Sequence, residues 1–560
     1  MLNNKRVQLG AGYQTWLQVL ITILLVFGIF FRFVNLDRKV YWFDEIYTSL
    51  RASGYTEAEV LQKLPKASVI GIEDLQKYQR PHPEKSLINT IDSLAVEDPQ
   101  HPPFYYIMAR FWMQWFGSSA AVMRALPALI SLLAFPCIYW LCLELFESPL
   151  TGWVAVALLA VSPLHLLYAQ EAREYSLWTV TILLSSLALL RAMRLKTKLS
   201  WGIYTITLAA SLYTFLLSFL VVIGQGIYVA AIERFRLTKT LIAYLVASVL
   251  GIIAFLPWIA VVIVNRVQAR SVTAWTGVIK KSLGELLKIW AINISRIFID
   301  FNYSTQYPLV FQVLVIFASG ILVVLLGYAL YFLCRNTPKR IWLFILTLMG
   351  TTVLPFVVPD LVLGGVRSIT PRYFIPSYLG IQLSVSYLLA TKLTGLSANK
   401  VWQQKLWQIV MAAIVSGGVL SCAISSQAET WWHQTLNKDT PTVAHIISKS
   451  ERPLLIGNSY LADIVSLSYQ LNSKVKFLIN PRCYTSCNTL IAKNKNYQTE
   501  DWPYQIPKIP DNFREIFLFK TGPSKEWMRE IEQNPIYKIE PKIKPSSEEF
   551  VSWLWRLEKQ

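Results

Sequence analysis

The stretch YQTWLQVLITILLVFGIFFRFV, residues 13–34, decides the fold. A helix needs roughly 20 apolar residues to cross a bilayer core, and this run supplies them. Lys5 and Arg6 stand before it, and the continuation FRFVNLDRKVYWFDE (31–45) offers no small-residue cleavage site. The combination reads as an uncleaved first span with a cytoplasmic N-terminus, not as a signal peptide. Similar runs recur near 122–143, 150–168, 175–192, 200–214, 216–232, 240–264, 307–333, 341–358, 374–391 and 406–426. The expected architecture is therefore an α-helical polytopic membrane protein of about eleven spans.

Composition points the same way. Of 560 residues 54% are hydrophobic and 16% charged, where a soluble domain carries about 25% charged residues. This excludes a disordered chain, a coiled coil and a small disulfide scaffold, and argues against an ordinary soluble enzyme. The net charge of +19 is spread over short segments between apolar runs. That is the positive-inside pattern of a membrane protein, not the concentrated footprint of a nucleic-acid binder.

The segment 103–117, PFYYIMARFWMQWFG, is apolar, short and aromatic, so it reads as an interfacial helix. With that segment not spanning, five connecting segments face the cytoplasm, and four of them are basic, including RAMRLKTK (191–198), ERFRLTK (233–239) and CRNTPKR (334–340). The exception is the acidic ELFESP (144–149). The loop 35–101, the turn 169–174, the loops 265–306 and 359–373 and the C-terminal part then lie outside. The 265–306 loop is itself basic, with Arg266, Arg270, Lys280, Lys281, Lys288 and Arg296 against Glu285 and Asp300. On the outer side it departs from the simple bias, and it fits an anionic ligand.

From 427 to 560 the chain turns polar. Short apolar strands (PLLIGN, KVKFLI, EIFLFKTG) alternate with helical patterns (TVAHIISKS, YLADIVSLSYQL, SKEWMREIEQ), which predicts a small α/β domain with a largely parallel sheet. The expected domains are thus a transmembrane catalytic domain over 1–426, carrying the extracytoplasmic loop 35–101, and an extracytoplasmic α/β domain over 427–560. Cys137, Cys142, Cys334 and Cys422 lie in or at the ends of apolar runs and read as small buried hydrophobes. Cys483 and Cys487 fit a local disulfide, or a CxxxC metal pair that no nearby His completes.

Four segments carry candidate chemistry. Asp44 and Glu45, in VYWFDEIYTS (40–49), follow the first span among aromatic residues. A partly dry carboxylate there suits general-base work, though the pattern also fits a solvated acidic pair. His101 opens HPPFYYIMARFWMQWFG and fits a phosphate or hydroxyl contact or a plain turn. SPLHLLYAQEAREYSLW (162–178) packs Glu171, Arg173 and Tyr175 between two spans. There Arg173 is a phosphate ligand with Glu171 as its partner or a hydroxyl acceptor, or the segment is a turn with an internal ion pair. His165, one turn earlier, reads as an interface anchor. Arg372 and Tyr373, in GGVRSITPRYFIP (364–376), fit a phosphate fork with a ring beside it, or a snorkelling span end. The topology opens all four segments to one face. Arginines and aromatic walls suit a phosphate joined to a lipid and a sugar, and a carboxylate suits deprotonating an acceptor hydroxyl.

In order and spacing these motifs resemble the polytopic GT-C glycosyltransferases. The likeness is to the family-39-like group of protein O-mannosyltransferases, aminoarabinose lipid A transferases and Rgt-type transferases. WFDE after the first span, HPPFYYIMARFWMQWFG, MRALPALISLL (123–133), SPLHLLYAQEAREYSLW and, more weakly, PRYFIP carry it, over about residues 10–240 and faintly to 390. The resemblance implies an inverting transfer from a polyprenyl-phosphate sugar to a lipid, glycan or protein acceptor on the extracytoplasmic face of the plasma (inner) membrane. Asp44 matches the acidic residue proposed as base and Glu45 its supporting neighbour. His101 and Tyr47 stand where the aminoarabinose transferases carry a lysine and an arginine, which moves the donor-phosphate role here to Arg173 or Arg372. No ligand spacing marks a metal site, and no cofactor is expected. A surface-polysaccharide ligase or polymerase of the same build is the nearest alternative reading. A transporter is the alternative of a different class, and the chain shows no clear internal repeat to favour it.

Overall fold

The computed structural model describes residues 11–65, 68–394, 401–457, 459–484, 509–510, 513, 515–519, 533, 537–543 and 554–559. They are mostly helical. The chain divides into two compact units: Met1–Leu36 with Arg124–Ala260 and Thr273–Gln427, and Asp37–Met123 with Val261–Val272 and Ala428–Gln560.

The first unit is a helical bundle. Helices occur at each of the eleven expected positions. Among the described residues seven are long and apolar enough to cross a membrane, or eight if the bent pair Pro149–Ala160 and Pro163–Ala169 counts as one span. Gln18–Phe33 and Ser218–Ile232 are apolar but shorter. The 62° bend within the pair has a local cause. Pro163 opens the second helix, and a proline there cannot donate to the preceding turn.

Pro149–Ala160 lies at the centre of this bundle and is buried from Val154 to Ala160. It packs on the first helix (Ala11–Phe33), on Ala134–Phe146 and on Ile375–Thr394. Close approach depends on small residues. A side chain at Gly28 would lie 2.7 Å from the Ala160 carbonyl oxygen and 2.8 Å from its Cβ. Gly28→Val is therefore expected to destabilise the bundle by about 1–3 kcal/mol, the usual cost of overpacking. A lowered melting temperature in detergent checks it, and an unchanged one refutes the contact.

Arg32 ends the first helix in the same region, 1% exposed. Its guanidinium donates to the carbonyls of Gly28 (2.7 Å) and Ala160 (2.9 Å) and to Ser131 Oγ (3.0 Å), and it lies over the Phe135 ring. These neutral acceptors satisfy the guanidinium's donors, which is how a buried polar group is tolerated.

The second unit joins a helical subdomain (37–123) to a sheet-bearing C-terminal part. Residues 37–101, expected to accompany the spanning helices, form one unit with residues 428–560. Two kinds of contact make it so. Phe43 N–H donates to Asn437 Oδ1 (2.9 Å), and Ile70 exchanges both backbone hydrogen bonds with Phe477 (2.9 Å each).

The sheet has five strands, β1 (Pro453–Gly457), β2 (Lys476–Ile479), β3 (Glu515–Phe519), β4 (Tyr537–Ile543) and β5 (Leu554–Lys559), in the order β2-β1-β3-β5-β4. The three strands read from the sequence, β1 to β3, run parallel. β5 pairs antiparallel with both β3 and β4, so the sheet is mixed and not largely parallel. The added strands carry charges that pair across one face: Arg556 meets Glu515 and lies 2.9 Å from Glu558. Leu454, Ile456, Ile516, Leu518 and Leu557 form the core beneath. The helical pattern TVAHIISKS is realised as Thr440–Ser448 and YLADIVSLSYQL as Leu461–Ser468. SKEWMREIEQ, but for its last residue, lies outside the described residues. Cys483 is disulfide-bonded, and Cys487 lies outside the described residues.

The segment expected to be interfacial is a 13-residue helix, Phe104–Phe116. At 1.5 Å per residue it is about 20 Å long, less than a bilayer core of about 30 Å. It buries Tyr105, Tyr106 and Met113 and exposes Phe111, Trp115 and Phe116.

Candidate active site

The sequence-selected residues fall into two clusters, one in each unit.

In the second unit the acidic pair starts the helix Phe43–Ala52. The first four N–H groups of a helix lack partners within it, and Trp42 at the N-cap has no side-chain oxygen to cap them. Glu45 reaches back instead and accepts the Trp42 N–H (3.3 Å), and Asn437 takes the Phe43 N–H. Glu45 is fully buried, whereas Asp44 is partly exposed. The two carboxylates are thus not equivalent: Glu45 builds the turn that presents Asp44. Both complement the positive N-terminal end of the helix. Around them the Phe43 ring meets Tyr47 and Tyr484, each at 5.1 Å. Burial first, then the field of Asp44, pushes the Tyr484 hydroxyl up to about 12, so it stays a neutral hydrogen-bonding group.

Behind this helix lies a network that the sequence does not announce. Arg51, 1% exposed, bridges Glu97 (2.5 Å) and Asp98 (2.7 Å). Glu97 accepts the backbone N–H groups of Glu57 and Ala58. Tyr47 donates its hydroxyl to Glu57 Oε1 (2.8 Å), and the Tyr484 N–H also points to that carboxyl. Tyr47 is therefore committed to the network. His101 donates its backbone N–H to the Asp98 carbonyl (2.9 Å) and lies half buried beside the Tyr106 ring. It adds to the field that, with Arg51, holds the Asp98 carboxyl below its usual range against the opposing effect of burial.

Burial and then the neighbouring Glu97 push the Glu57 carboxyl up to about 8. A carboxyl raised above its unfolded value of about 4.3 contributes stability that is complete below that pH and is lost as pH rises through about 8. The second unit is expected to lose stability between pH 5 and 8, and Glu57→Gln is expected to flatten the slope. Thermal melts at several pH values check it. Equal slopes in both proteins would remove Glu57 as the cause.

In the first unit the turn 170–174 separates Pro163–Ala169 from Tyr175–Leu195. Gln170 Nε2 donates to the carbonyls of Phe31 (2.7 Å) and Val34 (3.0 Å) and so ties the turn to the end of the first helix. Glu171, Arg173 and Glu174 are all buried, and Arg173 Nε lies 3.5 Å from Glu174 Oε2. Buried charges at this depth are costly unless paired or functional.

Arg173 and Arg372 converge here. The guanidinium carbon of each lies 5.8 Å from the centre of the Tyr175 ring. Arg372 also lies 5.9 Å from Tyr373, and Tyr168 feels both Glu171 and Arg372. Tyr175 packs on Tyr168 and Phe215, and Tyr373 on Phe215 and Phe356. Two arginines around one ring, walled by aromatics, suit an anion attached to an apolar group. Glu171, Arg173, Tyr175, Arg372 and Tyr373 thus come together. His165, read as an interface anchor, is instead buried and lines a small cavity with Arg32, Ser131 and Tyr168.

Among the described residues no group of three or more His, Cys, Asp or Glu is disposed to hold a metal ion. The missed residues, Arg51, Glu57 and Glu97, look in the sequence like solvated loop charges. Only their burial in the fold marks them.

Several solved structures align with the chain at low similarity. ArnT from Cupriavidus metallidurans in the apo state has a TM-score of 0.49 at 12% identity, covering 98% of each chain. The oligosaccharyltransferase AglB from Archaeoglobus fulgidus, in complex with an inhibitory peptide and a dolichol-phosphate, has a TM-score of 0.48 at 10% identity, covering 91% of this chain and 70% of that one. No curated protein sequence matches the chain significantly. Residues 100–260 match the family model described as dolichyl-phosphate-mannose-protein mannosyltransferase. The match takes in HPPFYYIMARFWMQWFG, MRALPALISLL and SPLHLLYAQEAREYSLW. The match is a likeness to that family over part of the chain.

Proposed function

We propose that the protein is a glycosyltransferase that moves a sugar from a polyprenyl-phosphate donor to an acceptor hydroxyl on the extracytoplasmic face of the plasma membrane. In this reading the N-terminus is cytoplasmic and the C-terminal α/β domain extracytoplasmic. The observation that carries it is the division of labour in the acidic pair: Glu45 is consumed in building the helix start, and Asp44 is left partly exposed among aromatic rings.

The Asp44 carboxylate takes the acceptor O–H proton as that oxygen attacks the anomeric carbon from the face opposite the phosphate. The bond between the anomeric carbon and the phosphate oxygen breaks, and its electron pair leaves on the polyprenyl phosphate. The configuration inverts. Arg173 and Arg372 hold the phosphate and offset the charge that grows on it, the most effective place to put fixed cations. Tyr175 holds the two guanidiniums in register, and Tyr373 and Glu171 flank them. His101 orders the entry to Phe104–Phe116 beside Asp98.

The test uses the purified protein in lipid nanodiscs with a panel of polyprenyl-phosphate sugars. Release of polyprenyl phosphate that depends on Asp44 supports the reading and names the sugar. Failure to bind any donor overturns it.

A further inference from the structure

The second unit contains an open groove of about 770 Å³, within the range of ligand sites, about 300–1,000 Å³. Nothing in the transfer step proposed above uses it. It runs between the start of the helical subdomain, the segment 71–80 and the end of the helix Leu461–Ser468.

Its chemistry is distinctive. Three carboxylates (Asp37, Glu73, Asp74) and three cations (Lys39, Arg80, Lys476) line it, so it carries no net charge. Several of these charges are matched locally. Arg80 lies 3.5 Å from Glu73, and Asp74 accepts the Gly71 N–H at 2.9 Å. A polyanion or polycation would find half of the lining repulsive. Six of the other thirteen lining residues are serine or glutamine, with Gln76 donating to Ser468 (3.2 Å), so an acyl chain would bury polar groups without partners. One aromatic surface is available: Tyr469 lines the groove, mostly buried, braced by the buried Tyr41 ring at 4.9 Å. Paired donors and acceptors beside a single tyrosine face match a sugar ring, whose hydroxyls both donate and accept and whose C–H face packs on an aromatic.

Side-chain contacts link the groove wall to the acidic helix. Tyr41 bonds Ser49 of that helix (2.5 Å), and Tyr469 lies within the field of Glu45.

We propose that this groove binds the acceptor, and that the acceptor is a neutral, hydroxyl-rich glycan. The proposal rests on the transfer reading for its role and on the groove alone for its ligand.

The full chain in nanodiscs is titrated with neutral gluco-, manno- and galacto-oligosaccharides at millimolar concentration, followed by saturation-transfer NMR. Binding is expected for at least one of them. Tyr469→Ala is expected to weaken it about tenfold, the effect of losing one aromatic contact of about 1.4 kcal/mol. Arg80→Ala, at a largely exposed position, gives a second reading should Tyr469→Ala fail to fold, and is expected to weaken binding severalfold. If none of these oligosaccharides binds, or if both groove variants bind as the parent does, the groove proposal falls while donor turnover can still stand. If they bind through Tyr469 and no donor is turned over, the transfer reading falls and the glycan groove stands. Competition by an acidic peptide and not by sugars would assign the groove to a protein partner and overturn the proposal.

Discussion

Asp44→Asn is expected to lower the rate of sugar transfer by about 10²–10⁴, the usual contribution of a positioned general base. The substitution is nearly isosteric and removes the carboxylate's charge and its capacity to accept a proton. It leaves the cap intact, because Glu45 and not Asp44 accepts the Trp42 N–H. Folding should therefore be preserved, with a loss of stability no larger than that of one helix-end charge, about 0.3–1 kcal/mol. Glu45→Gln is the informative contrast. It weakens a buried cap and is expected to lower stability by about 0.5–2 kcal/mol with a smaller loss of rate. Full transfer activity in Asp44→Asn would take the base role from Asp44.

The second large effect is expected at the arginine pair. Arg372→Ala should weaken binding of polyprenyl phosphate by roughly 10- to 150-fold, corresponding to about 1.5–3 kcal/mol for a hydrogen bond to a charged group. Arg173→Ala should do likewise, and the double variant should lose less than the sum, because both guanidiniums face the same Tyr175 ring. Arg372→Lys keeps the charge but not the planar fork, so it should recover only part of the affinity. Titration of each variant with polyprenyl phosphate, with no acceptor present, isolates this step. An unchanged affinity in Arg372→Ala would refute the phosphate role.

Much of the bundle was legible in the sequence because a bilayer imposes long uncharged runs, and each run became a helix. The strands β1 to β3 were legible for a related reason: PLLIG, KFLI and EIFLF are almost wholly apolar and buried. The strands β4 and β5 were not. YKIEPKI and LWRLEK mix charges with apolar residues, and what makes them strands is antiparallel pairing with each other and with β3, a long-range contact that no local pattern reveals.

The site divides in the same way. Asp44 stood out as a carboxylate among aromatics, and the arginines as charges at span ends. That Glu45 is a cap depends on Trp42 offering no capping oxygen of its own, a geometric fact. The Arg51, Glu57 and Glu97 network depends on burial contributed by residues as distant as Tyr484.

The pairing of the first loop with the C-terminal part sets the order in which the protein can be built. Phe43 and Asn437 are 394 residues apart, and Ile70 must wait for Phe477. At a synthesis rate of about 5–20 residues per second, the segment 37–123 emerges roughly 20–80 s before its partners exist. The spanning helices are made in that interval. The segment carrying the acidic pair is therefore the first soluble part of the chain to emerge and the last to reach its final form, and until then its hydrophobic face depends on whatever holds nascent chains apart.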